Sequence, residues 1–105
     1  MDAERDALVA LYRATNGDSW WRKTGWCTDA PLSEWHGVTV NEGRVVELEL
    51  HCGNLQESIP KELGQLGALK SLDLAGNQLK GSIPKELGRL DALKMLNLHN
   101  NNLEG

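Results

Sequence analysis

The chain has 105 residues, 40% of them apolar and 25% charged, with a net charge of -4 at neutral pH. That length allows one domain, and the balance is that of an ordinary globular chain. A net acidic chain lacks the basic face that phosphate backbones require, and no apolar run reaches the roughly 20 residues of a membrane span, so neither nucleic acid nor a membrane is expected as a partner.

The amino end reads MDAERDALVALYRAT. Ala7, Leu8, Leu11, Tyr12 and Thr15 recur at helical spacing, which predicts one amphipathic helix from about Asp2 to Thr15, ended by Asn16-Gly17. Charges stand where a secretory leader would carry its apolar core. The expectation drawn from this is a cytoplasmic protein, with an extracellular or cell-surface location as the alternative.

All four tryptophans follow, between Trp20 and Trp35. Trp26 and Trp35 are expected in a core, and of the adjacent pair Trp20 and Trp21 one is expected to point outward. The segments HGVTV, NEG and RVVELEL then predict strand, tight turn and strand. Cys27 and Cys52 are compatible with one disulfide or with two free thiols, and sequence alone does not decide. His36, His51 and His99 are scattered, with no ligand spacing, so no metal or other cofactor is expected.

From Val45 onward the chain repeats itself. VVELELHCGNLQESIPKELGQLGA, LKSLDLAGNQLKGSIPKELGRLDA and LKMLNLHNNNLEG start at Val45, Leu69 and Leu93, a spacing of 24 residues. A fixed period in this range is the signature of a solenoid. Leu48 and Leu50, Leu72 and Leu74, and Leu96 and Leu98 alternate with polar residues, as in a short strand with one buried face. Leu55, Ile59, Leu63 and Leu66, with their counterparts Leu79, Ile83, Leu87 and Leu90, suit an irregular coil that turns inward several times per lap. Ser58-Ile59-Pro60 and Ser82-Ile83-Pro84 predict capped entries into short helical turns, which Gly64 and Gly88 would end. Asn77 and Asn101 sit at the bend after the strand, where an amide can bond the turning backbone and the neighbouring lap.

The string LxxLxLxxNxLxGxIPxxLGxL fits Leu69 to Leu90 at every position and resembles the plant-type leucine-rich repeat. The first lap departs from it: Gly53 stands in the Asn place, with Asn54 as a partial substitute, and Glu57 stands where the second lap has Gly81. The resemblance implies an α/β repeat solenoid, a right-handed coil of short parallel strands and short helical or 3-10 turns. Its amino end would be a helix plus β-hairpin cap. Residues 1–44 would form that cap, and 45–68, 69–92 and the partial 93–105 the laps. Trp26 and the WHGV segment at Trp35–Val38 resemble the cap of plant-type repeat proteins. Secreted members usually carry a Cys pair flanking that segment; Cys27 is here, but Val40 occupies the second place. No Asn has Ser or Thr two residues on, so glycosylation acceptors are also absent. Both departures add to the cytoplasmic expectation.

No nucleophile elbow, phosphate-binding loop or zinc-protease motif occurs, and no catalytic function is expected. The function implied is a non-catalytic protein–protein interaction module, the capped start of a longer array used in recognition or signalling. The alternative is an extracellular ligand-sensing ectodomain of a receptor-like kinase, or a secreted inhibitor resembling those of polygalacturonase. The partner would be a protein or peptide held by a monomer on the concave face. Equivalent outward strand positions there differ between laps while the leucines do not: Glu47, Ser71 and Met95; Glu49, Asp73 and Asn97; His51 and His99; with Lys70 and Lys94 at the rim.

Overall fold

The computed structural model describes residues 3–104; the expected helix start at Asp2 and the last residue of the third lap, Gly105, lie outside the described residues. Helix α1 spans Ala3–Ala14. Ala7, Leu8 and Leu11 are fully buried along one stripe, and Asn16 ends the run in the left-handed region at φ 56°. Asn tolerates that conformation better than most side chains.

Strands β1 (Val38–Asn41) and β2 (Arg44–Glu49) form the expected antiparallel hairpin. Glu42 and Gly43 turn it with φ 53° and 77°, the two positive φ values of a type I′ turn. Strands β3 (Gln56–Glu57), β4 (Ser71–Asp73), β5 (Gln78–Ser82), β6 (Met95–Asn97) and β7 (Asn102–Glu104) follow. Two sheets result, ordered β1-β2-β4-β6 and β3-β5-β7. In the first, β2, β4 and β6 are parallel and in register, so Leu48 pairs with Leu72 and Leu72 with Leu96. The second sheet corrects the irregular coil expected from the sequence. Gln56 pairs with Gln78, and Lys80 with Asn102, through the backbone.

Between the sheets lies one leucine core. Leu48, Leu55, Leu63, Leu66, Leu69, Leu72, Leu74 and Leu79 are almost wholly shielded. Burial of each such side chain contributes about 1.5–3 kcal/mol. Shielding fails on the open side of the third lap, where Leu96 is 48% exposed.

Two local expectations are corrected. The turns at Lys61–Gln65 and Lys85–Arg89 are 3-10 helices that begin after Pro60 and Pro84, with no side-chain cap from Ser58 or Ser82. Proline fixes φ ahead of the turn, so the entry is set by the ring and not by a hydroxyl. Gly64 and Gly88 lie inside these turns and do not end them. A Cβ on Gly64 would stand 2.6 Å from the Glu86 carbonyl oxygen of the next lap, so that glycine is there for close stacking. A Cβ on Gly88 would meet nothing within 4 Å.

The bend after each strand passes through one left-handed residue at the equivalent place: Cys52 (φ 51°), Gly76 (φ 71°) and Asn100 (φ 59°). Asn77 then closes the bend. Its Oδ1 accepts from the N–H groups of Gly53 (2.9 Å) and Leu55 (3.0 Å) in the preceding lap. Its Nδ2 donates to the carbonyls of Leu50, Leu74 and Ala75. Asn101 repeats the arrangement one lap on, accepting from Leu79 N–H and donating to Leu74 and Leu98. The ladder therefore starts at Asn77, which serves the first lap from the second. Asn54 does not substitute for the missing Asn: it turns away, and its Nδ2 donates to the Ser19 carbonyl.

Ahead of the laps, α1 packs on the 61–65 turn. Glu4 is buried, accepting from Val45 N–H at 2.9 Å and from Arg44 Nε at 3.1 Å. Thr15 accepts from Gln56 N–H through its carbonyl. Trp20, Trp26 and Trp35 form a chain of rings at 4.7 and 5.1 Å. Each buried indole N–H is satisfied by a backbone carbonyl: Thr15, His36 and Ala30 respectively. Arg5 lies over the Trp35 ring and donates to the Thr28 carbonyl.

Candidate functional site

Period-2 alternation sends the leucines of β2, β4 and β6 inward and their neighbours out on the other face. Register then sets these outward residues in rows. Glu47 stands beside Ser71 and Ser71 beside Met95; Glu49 stands beside Asp73 and Asp73 beside Asn97. Glu49, Met95, His51 and His99 are exposed, while Glu47, Ser71, Asp73 and Asn97 are partly covered. Lys70 and Lys94 are exposed just ahead of β4 and β6, and their backbones are linked by the Lys94 N–H to the Lys70 carbonyl at 2.8 Å. The candidate residues thus fall on one contiguous face. Ala75, between His51 and His99, is buried.

The electrostatics of this face are uneven. Glu49 and Asp73 are lateral neighbours on parallel strands, a like-charge pair about 4.8 Å apart in the sheet direction. Asp73 is engaged on both oxygens: Oδ1 accepts from Ala75 N–H at 3.1 Å, and Oδ2 lies 3.5 Å from His51 Nδ1. Glu47 and Glu49 leave negative charge on the first lap. No group of three His, Cys, Asp or Glu able to hold a metal occurs among the described residues.

The cap adds residues that the strand pattern does not reveal. Trp21 is 70% exposed, while the other three tryptophans are at most 4% exposed. Its backbone N–H donates to the Gly53 carbonyl at 3.0 Å, which ties its main chain to the bend after β2. A cavity of about 10 Å³ is lined by its sequence neighbour Arg22 and by His36, Leu50, His51, Gly53 and Leu55. Adjacent tryptophans gave the hint that one would face outward, but nothing local brings Arg22 and His36 to His51. A larger hollow of about 260 Å³ lies at the end of α1, lined by Tyr12, Arg13 and Asn16 to Ser19. There the Tyr12 hydroxyl donates to Asp18 Oδ1 at 2.7 Å, and burial, then that carboxylate, push the phenol up to about 12.

Cys27 and Cys52 are both exposed free thiols. Burial is the larger influence on Cys27 and raises its pKa against the pull of Arg13 and Arg5. No described helix is long and apolar enough to cross a membrane.

The family profile described as "Leucine rich repeat" matches residues 43–103. The fold is similar to that of the BIR2 ectodomain from Arabidopsis thaliana, at 34% identity and a TM-score of 0.84, covering 97% of this chain and 56% of that one. It is also similar to a chain of the BIR3–SERK2 complex from the same plant, at 30% identity and 0.70, covering 93% and 57%. The LRR ectodomain of the Arabidopsis receptor kinase HAESA, solved with an IDA peptide hormone, aligns at 25% identity and 0.79, covering 95% and 17%. The chain therefore spans little more than half the length of the first two. No curated protein sequence matches it.

The cytoplasmic expectation is corrected by these likenesses, because BIR2 and HAESA are represented by ectodomains, which lie outside the cell. The two departures that supported it have a packing explanation or none. Val40, in the place of a second cysteine, packs against the core, so van der Waals contact anchors β1 without a bridge.

Proposed function

The chain belongs to the leucine-rich repeat family, and on that basis we propose that it is a non-catalytic recognition module at the capped start of a longer array. Its setting is extracellular, as in a receptor-kinase ectodomain, and it acts as a monomer. Residues 1–44 serve as the cap and 45–68, 69–92 and 93–105 as successive laps. The partner is a protein or peptide lying across β2, β4 and β6 and contacting Glu47, Glu49, His51, Lys70, Ser71, Asp73, Lys94, Met95, Asn97 and His99. This agrees with the alternative reading of the sequence better than with a cytoplasmic module.

One observation carries the proposal. The inward leucines repeat from lap to lap in strict register, while the outward neighbours on the same strands differ. A scaffold position has to repeat so that laps stack, whereas a recognition position gains by differing. The peptide hormone on HAESA and the partner in the BIR3–SERK2 complex support a peptide or protein ligand. Support for a further lap comes from the open face itself, where Leu96 is uncovered and Gly88 leaves the room that Gly64 yields to Glu86. No cofactor, nucleic acid or membrane contact in this segment is part of the proposal.

The test is selection of a displayed library of random twelve-residue peptides on the purified chain. Selected peptides are expected to lose about tenfold or more in affinity with Glu49→Lys or Met95→Lys, as expected when a contact residue at an interface centre is lost. They should be unaffected by Glu62→Lys on the 3-10 turn side. Peptides indifferent to both strand substitutions would overturn the concave-face assignment.

A further inference from the structure

Trp21 is the large exposed side chain that the lap pattern does not account for. Ile83 and Leu96 belong to laps and are exposed where stacking leaves a face open, and Met95 is an outward strand position. Trp21 lies in the cap, at the opposite end, and its main chain is held by the Gly53 carbonyl. An indole so exposed on a fixed backbone is the kind of group that dominates interfaces, being large, rigid and amphipathic.

Its neighbours define what it would meet. Arg22, next in sequence, lines the small cavity with His36 and His51 over a floor of Leu50, Leu55 and Gly53. The His36 main chain is fixed on both sides: its backbone N–H donates to the Thr24 carbonyl, and its carbonyl accepts from Trp26 Nε1. Arg22 takes part in none of the ion pairs formed among the described residues, which join Arg44 to Glu4, His51 to Asp73 and Lys80 to Glu57. Its guanidinium offers a planar fork of donors. About 10 Å³ is the volume of one water-sized atom. A drug-like ligand is too large for it, whereas one oxygen of a carboxylate fits.

We propose that Trp21, Arg22 and His36 form a subsite at the cap end of the concave face that takes an acidic side chain of a bound peptide, with an adjacent apolar residue lying on the indole. Arg22 holds the carboxylate as a charge-assisted pair, with the His36 ring beside it. Arg22 and His36 line this subsite from the cap, while Asp73, 3.5 Å from His51 Nδ1, and Glu49, whose N–H donates to the Gly37 carbonyl, border it on the strand side.

The inference builds on the concave-face reading but is tested apart from it. From the same displayed library, peptides that depend on Glu49 or Met95 are sequenced and assayed against Trp21→Ala, Arg22→Gln and Arg22→Lys. Phage display fuses the peptide's carboxyl end, so any acid preference reads side chains alone. The expected result is enrichment of Asp or Glu beside an apolar residue, a loss of about tenfold or more for Trp21→Ala and Arg22→Gln, and partial recovery with Arg22→Lys. Both positions are exposed, so the variants are expected to unfold at the wild-type midpoint. Strand-dependent peptides without acidic enrichment, or a smaller loss with either Trp21→Ala or Arg22→Gln, would overturn this subsite and leave the concave-face reading standing.

Discussion

Replacing Asn77 with Ala is expected to weaken the fold more than any other single polar change. Asn77 is 7% exposed and makes five hydrogen bonds to backbone groups of two laps. Two of its partners keep other bonds: the Leu74 carbonyl accepts from Asn101 Nδ2, and the Ala75 carbonyl from Cys52 N–H. The Gly53 N–H, the Leu55 N–H and the Leu50 carbonyl lose the amide. Leaving a buried polar group unpaired costs about 1–3 kcal/mol. Leu55 and Leu50 are buried and Gly53 is half-buried, where water offsets part of the loss. The sum is about 3–5 kcal/mol, a large share of the 5–15 kcal/mol of a typical domain. Asn101→Ala is the internal control: the same ladder position, but half-exposed on the open lap and serving one N–H, that of Leu79. Its cost is expected at about 1–2 kcal/mol. Urea unfolding followed by circular dichroism reads both. A loss for Asn77→Ala equal to or smaller than that for Asn101→Ala would refute the argument that bridging between laps is what the amide contributes.

Three further outcomes follow from contacts described above. Gly64→Ala should destabilise by about 1–3 kcal/mol, because its Cβ would fall 2.6 Å from the Glu86 carbonyl, while Gly88→Ala should be neutral or slightly stabilising; thermal unfolding of the pair measures the difference. Glu4→Ala should cost about 2–4 kcal/mol and Glu4→Gln less, since Gln keeps the acceptor for Val45 N–H; denaturant midpoints separate the two. Tyr12 is the single tyrosine of the chain, so ultraviolet titration should show its phenol ionising near pH 12. With Asp18→Asn the midpoint should fall toward 10. Because the folded value is the raised one, the stability linked to this proton is complete below about pH 10 and is lost as pH climbs to about 12.

What could be read from the sequence tracks how local each signal is. Leu48, Leu72 and Leu96 announced one sheet because alternation and the 24-residue period coincide at them. The NEG segment announced the hairpin because a Gly-containing tight turn stands between two strand-like runs, and the structure narrows the turn to Glu42-Gly43. The sheet β3-β5-β7 was not legible, since Gln56, Gln78 and Asn102 pair through the backbone and carry no apolar alternation. Nothing local in the sequence marks Glu4 for burial, because its partner, Val45 N–H, lies 41 residues away. The proposed concave residues followed from strand register, but the cavity of Arg22, His36 and His51 joins three separate segments and has no sequence signal of its own.

The uncovered side of the third lap also bears on how the molecule comes apart. Each lap touches only its immediate neighbours, so cooperativity weakens where one neighbour is lacking. Amide exchange should therefore run as a gradient, slowest near Leu72 and Leu48 under the cap and fastest around Leu96 and Leu103, with the chain unzipping from that edge before the tryptophan end lets go.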